Sequence, residues 1–168
     1  MKLSMAAELA VRGILVLAND RGDKPLPLDE ICRRRELPRQ YLAKIFAMLS
    51  RAGLVNPVRG KGGGHVLARS PEQISLLDVV EAVEGPFALN LCQHSPPRCD
   101  EEDCPVRPVW TELQNHVTSV LGSQSLRDLM SNGNGDGHGG NGDGHGHARA
   151  SSDTEPVTGG ASRQERTN

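Results

Sequence analysis

Aromatic side chains are nearly absent: Tyr41, Phe46, Phe87 and Trp110 are the four in 168 residues. Any core is therefore aliphatic. Long apolar runs are missing too. The run Ile14 to Ala18 is far too short to span a bilayer, Glu8 and Arg12 interrupt the apolar residues before it, and no small-residue cleavage site follows. No membrane partner is expected, and the cytoplasm is the expected compartment. The length excludes a TIM barrel or a two-domain dehydrogenase and leaves one domain, or one small domain with an appendage. The glycine-rich RGKGGG, residues 59–64, lacks a GKS or GKT ending and no helix start follows it, which argues against a nucleotide-phosphate loop. No nucleophile stands beside a base in a recognisable setting, so an enzyme is not expected.

Net charge is also scarce, at −2 overall, but the charges are segregated. Residues 1–69 carry 13 basic and 6 acidic side chains, net +7. Residues 70–131 carry 3 basic and 10 acidic, net −7, and residues 132–168 carry 3 and 5, net −2. A basic head beside an acidic middle points to a nucleic-acid face on the head. In the last segment 10 of 37 residues are Gly and only Ala148, Ala150, Val157 and Ala161 are apolar. Such a Gly/Asn/Asp/His tail buries too little surface to offset chain entropy, and residues 132–168 are expected to be disordered. The foldable unit is about the first 130 residues.

Within it, apolar spacing predicts a first helix from Ser4, a plausible N-cap, to Asn19. A loop, DRGDKPLP, leads to a second helix over residues 28–35 with Leu28, Ile31 and Cys32 inward. After the break Glu36-Leu37-Pro38, a third helix runs to Ala52 with Tyr41, Leu42, Ile45, Phe46 and Leu49 as its buried stripe; Gly53 stands as its C′ residue. Helix, tight break, helix is the helix-turn-helix arrangement. LVNPV and HVLAR then read as two strands around the RGKGGG loop, a wing. The expected fold is mainly α with a small β-wing: a winged helix-turn-helix with a long C-terminal dimerisation helix. Arg39, Gln40, Lys44 and Arg51 on the third helix offer the basic and amide groups that base edges and phosphates require, with Tyr41 beside them. Arg59 and Lys61 project from the wing toward the phosphate backbone or minor groove. These seven residues are the DNA-binding candidates.

A fourth helix spans residues 75–85 behind an S-x-x-D capping signature, Ser75 and Asp78. These 85 residues form the expected DNA-binding head. Residues 86–104 lack periodicity and hold Cys92, Cys99 and Cys104, spaced C-x6-C-x4-C. Residues 105–131 supply a long helix, with Val106, Val109, Trp110, Leu113, Val117 and Leu121 at three- and four-residue steps, and a short terminal helix, SLRDLM. The long stripe exceeds what one small head covers, so a homodimer is expected. Four cysteines in a cytosolic chain suggest metal or redox chemistry rather than structural disulfides. Zinc on the three cysteines and His94, and a metal-free thiol–disulfide switch, are both open. Cys32 reads as a small core residue.

MKLS, ELAVRGILVLA, PRQYLAKIFAMLSRAGLV and VRGKGGGHVLARSPEQISLLDVVEAVEGP together resemble the Rrf-two family of bacterial winged-helix transcription regulators, in its IscR- and NsrR-like branches. The resemblance covers about residues 1–130. It implies a homodimer on palindromic, double-stranded promoter DNA, most often a repressor. It also implies an iron–sulfur cluster, 2Fe-2S or 4Fe-4S, on Cys92, Cys99 and Cys104, which senses nitric oxide, redox state or iron–sulfur status. Some members add a His three residues after the last cysteine, where this chain has Arg107; others add a carboxylate from the partner's first helix, where this chain has Glu8. Two alternatives stand beside this: the same fold without a cluster, answering a thiol oxidant or a metabolite, and a metal- or cluster-carrying protein whose head serves a protein partner.

Overall fold

A computed structural model describes residues 3–20, 24–101 and 103–133. Its elements in chain order are α1 (Met5–Ala18), α2 (Leu28–Arg35), α3 (Arg39–Arg51), β1 (Val55–Val58), β2 (Gly64–Leu67), α4 (Leu76–Glu84), α5 (Arg107–Ser123) and α6 (Leu126–Gly133), with short 3-10 turns at Pro71–Gln73 and Leu91–Gln93. The winged helix-turn-helix expected from the sequence is the observed fold. Of the tail expected from residue 132, Asn132 and Gly133 belong to α6, and residues 134–168 lie outside those described.

Local chemistry starts and stops these helices. The Ser4 hydroxyl accepts from the Ala7 amide and caps α1. Ser75 and Asp78 exchange both bonds of a capping box at α4, so two otherwise unpaired amides are satisfied at once. Between α2 and α3, Glu36 takes a left-handed conformation at φ 54°, unfavourable for a residue with a Cβ, and the turn it makes carries Leu37 into the core.

The core is organised around α1. Ala7, Leu9, Ala10, Gly13, Ile14, Val16 and Leu17 are all buried, which is half of the helix. Small residues let its neighbours approach: a Cβ on Gly13 would stand 2.9 Å from both Leu42 Cδ1 and Phe46 Cε2 of α3. Leu42, Ile45, Phe46 and Leu49 complete that interface. Tyr41, expected in this stripe, is instead 62% exposed. It sits one residue before Leu42, too far round the helix to point inward.

The wing is larger than its two strands. β1 and β2 pair antiparallel with Val55 opposite Leu67 and Pro57 opposite His65. On the other side of β2, Leu26 pairs with His65: the Leu26 amide donates to the His65 carbonyl at 3.0 Å and the His65 amide returns the bond at 2.9 Å. The segment read as a plain loop thus contributes a third strand position. Pro25 and Pro27 flank Leu26, and the residue before a proline favours extended backbone. Gly64 is required beside it, since a Cβ there would lie 2.4 Å from the Leu26 carbonyl.

Helix α6 returns to the head. Leu126 is fully buried in the same core as Ala10, Ile14 and Ile74. The Leu126 amide donates to the Ile74 carbonyl at 2.9 Å, and the Leu76 amide to the Gln124 carbonyl at 2.8 Å. Helix α5, between cysteine loop and α6, contains no buried residue. Leu126→Ala is expected to destabilise the protein by about 2–5 kcal/mol, as for a buried leucine in a tight site; denaturant unfolding of the two proteins checks this.

Candidate functional site

Two sites occupy opposite parts of the chain. The first is the surface made by α3 and the wing. Arg39, Gln40, Tyr41, Lys44 and Arg51 are all exposed on α3, and Arg59 and Lys61 are exposed at the wing tip. The wing turn bends through Gly60 and Gly62, at φ 101° and 80°, conformations that side chains with a Cβ rarely adopt.

The cations here are not equally available. Arg39 is ion-paired with Asp29 at the start of α2. Glu30 accepts from Arg33 and Arg34, and those two hydrogen bonds hold its carboxyl down to about 2. Arg34 also reaches Asp20 at 2.7 Å. Among the described residues Arg35, Lys44, Arg51, Arg59 and Lys61 have no ion-pair partner, which leaves their charge free for an outside anion. Arg35 escaped the sequence reading because it sits in a run of three arginines, and only the pairing of the other two distinguishes it.

His65 joins the wing to α3. Its ring meets Phe46 edge to face, with centroids 4.9 Å apart and planes at 76°. Its Nδ1 is buried without a hydrogen-bond partner among the described residues, and burial lowers its pKa from the usual imidazole value.

The second site is the loop between α4 and α5. Cys92 lies in the 3-10 turn, Cys99 in irregular backbone, and Cys104 just ahead of α5. All three are free and half-buried. A polar latch missed by the sequence reading fastens this loop to α5. The Leu89 amide donates to Gln114 Oε1 at 2.9 Å, and Gln93 Nε2 donates to Thr111 Oγ1 at 3.1 Å. The same Gln93 amide stands 3.5 Å from Cys92 Sγ. Arg107 Nη2 donates to the Glu101 carbonyl, and the Arg107 amide donates to the Cys104 carbonyl at 3.1 Å. Interleaved glutamines and a threonine give no pattern in sequence; their partners are 18 to 25 residues away.

Among the described residues, no three His, Cys, Asp or Glu side chains stand close enough to hold a metal ion. The single chain thus carries the three thiols on one loop without closing them into a metal site. Glu8 is half-exposed on α1 and ion-paired with Arg12 one turn on. His94 lines a small cavity with Leu3, Glu84 and Phe87. There the Ser4 amide donates to Glu84 Oε1 at 2.8 Å, which ties the start of α1 to the end of α4. Cys32 packs against the core as expected, and burial raises its thiol pKa.

Residues 3–132 match the model of the Rrf2 family, described as iron-dependent transcriptional regulators. The chain belongs to the Rrf2 family. Relatives include the HTH-type transcriptional regulator IscR of Xenorhabdus nematophila, 33% identical over 132 residues, covering 79% of this chain and 80% of that protein. Among solved structures, CymR, the global cysteine regulator of B. subtilis, superposes with a TM-score of 0.68 at 30% identity, covering 79% of this chain and 98% of its own. IscR of T. potens gives 0.64 at 29% identity, over 79% of this chain and 88% of its own. Like these Rrf2 relatives the protein is a transcriptional regulator and not an enzyme, and DNA is the partner such a regulator implies. No helix among the described residues is long and apolar enough to cross a membrane.

His65 generates a pH prediction for this Rrf2 protein. Its folded-state pKa is lowered, so the unfolded chain takes up the proton first. Its stabilising contribution is whole above the unfolded value of about 6.5 and is lost as pH falls below it. Wild-type stability should therefore drop between pH 7.5 and 5.5 more steeply than that of His65→Phe, as denaturant titrations at the two pH values will show.

Proposed function

We propose that this Rrf2-family protein acts in the cytoplasm as a homodimeric repressor on palindromic promoter DNA, with an iron–sulfur cluster on Cys92, Cys99 and Cys104 as its sensor. The observation that carries the reading is the cysteine loop itself. Three free, half-buried thiols share one segment, latched to the start of a helix whose apolar side is uncovered. Val109, Leu113 and Val120 of α5 are exposed, and Val106 and Leu91 beside its start are exposed too. A second copy of this chain is the natural cover for that side, because a two-fold protein matches two half-sites.

The donor set fits the proposed group. Thiolates are the usual iron–sulfur ligands. A sulfur on this loop already meets an N–H donor, from Gln93, and the buried Nε of Arg107 lacks an acceptor among the described residues. Thiols have little reason to converge before the metal that rewards them arrives. When bound, the cluster supplies reactivity toward nitric oxide, oxidants or changing iron supply. Arg107 has no ligating lone pair, so Glu8 of the partner subunit is the proposed remaining ligand; separating it from Arg12 frees its carboxylate. The link from Ser4 to Glu84 fastens the start of α1 to the end of α4, the point of the head from which the cysteine loop departs. On DNA, α3 enters the major groove with Gln40, Tyr41, Lys44 and Arg51, while Arg59 and Lys61 follow the flanking backbone. Arg39 joins them by exchanging Asp29 for phosphate.

One observation favours a second reading, a metal-free thiol switch of the same fold. The three thiols are not gathered around a common point. Zinc on the three cysteines and His94 falls under the same test.

Anaerobically purified protein, analysed by absorption spectroscopy and for iron and sulfide, is expected to be coloured and to contain both. A colourless, iron-free protein even after reconstitution removes the cluster. Glu8→Ala should change the cluster spectrum; a change with His94→Ala alone would instead point to a ligand within the loop. Lys44→Ala and Arg59→Ala should each weaken operator binding and lower the salt slope by about 1. Unchanged binding isotherms in both would mean that α3 and the wing do not face DNA.

A further inference from the structure

We propose that Arg107 is a positioning residue for the sulfur ligands: its buried Nε–H donates to a sulfur of the group held by Cys92, Cys99 and Cys104. The inference rests on the iron–sulfur reading above. Arg107 opens α5 and is half-buried. Nη2 reaches back to the Glu101 carbonyl, which pins the segment ahead of Cys104. Its Nε is buried and has no acceptor among the described residues.

One other described side-chain atom shares that condition, His65 Nδ1. The two differ chemically. A neutral imidazole leaves one nitrogen without a proton, so His65 Nδ1 need not be a donor in want of a partner. A guanidinium Nε always carries its hydrogen. A buried donor left unpaired is costly, more so when charged, and folded proteins rarely keep one. Glu101 and Asp103 face solvent and do not serve it. Cys104 shares its turn, because the Arg107 amide is bonded to the Cys104 carbonyl. The neighbouring contact from Gln93 Nε2 to Cys92 Sγ shows that sulfur on this loop meets amide donors. Thiolate and sulfide sulfurs carry more negative charge than a thiol and accept more strongly.

A cationic N–H donor on these sulfurs favours the more negative, reduced state. Hydrogen bonds to the sulfurs are among the factors that set cluster potentials. The position where some relatives have a ligand would here tune the ligands instead.

The test uses the full chain, purified anaerobically and reconstituted with iron and sulfide. Wild type, Arg107→Lys and Arg107→Met are compared by iron and sulfide content and by potentiometric titration. Expected are equal loading, a midpoint potential shifted negative in Arg107→Met, and a smaller negative shift in Arg107→Lys. Before reconstitution, hydrogen exchange across residues 99–104 should be faster in Arg107→Met, because the Glu101 anchor is gone. Should Arg107→Met fail to fold by circular dichroism, Arg107→Lys carries the comparison. Equal loading with an unchanged potential overturns the proposal and leaves the cluster reading intact. A wild-type protein that takes up no iron or sulfide overturns both.

Discussion

Everything in this fold depends on how closely other elements approach α1. With four aromatic residues in the whole chain, bulk cannot fill an interior; aliphatic side chains must interlock instead. Ala7, Ala10 and Gly13 make α1 thin on its buried sides, and α3 comes near enough that a methyl group on Gly13 would collide with Leu42 and Phe46. That crossing aims α3. Its buried residues are pressed to α1, so its opposite side, with Gln40, Lys44 and Arg51, faces outward. The direction in which the chain presents its basic groups is set by the smallest residues of another helix.

The same helix links the two sites. Its first turn carries Glu8 and, through the Ser4 amide, a bond to Glu84 at the border of the cysteine loop. Its middle supports the recognition helix. The wing is held by other means: two reciprocal backbone bonds between Leu26 and His65, and the contact of the His65 ring with Phe46. Helix-turn-helix and wing thus share one buried aromatic, so the two DNA-facing parts keep a defined mutual orientation.

Features with local chemical causes were legible in the amino-acid sequence. Ser4 and the Ser75 and Asp78 pair follow from capping, and the bounds of α2 from apolar spacing, both of which act within a few residues. Tyr41 was misread because a neighbouring buried stripe does not settle a residue at its margin; exposure depends on where α1 lies. The Leu26 pairing, the place of Leu126 in the core and the latch of Gln93, Thr111 and Gln114 were not legible. Each joins residues far apart in the chain, and no local pattern encodes a partner chosen by packing. Of the sensor, the residue types and their loop were legible. The orphaned nitrogen of Arg107 was not, since it exists only once the loop has folded over it.

The position of Leu126 also bears on the order of events during synthesis. The core around Ile14 and Ile74 is complete only when a side chain more than fifty residues beyond Ile74 has arrived. Contacts of such separation close late, because the intervening chain must first lose its freedom. A nascent chain that has just released α4 from the ribosome therefore still has an open core, with the cysteine segment and α5 yet to be ordered. The core that backs the DNA-facing helices is thus complete only after the sensor loop has been made.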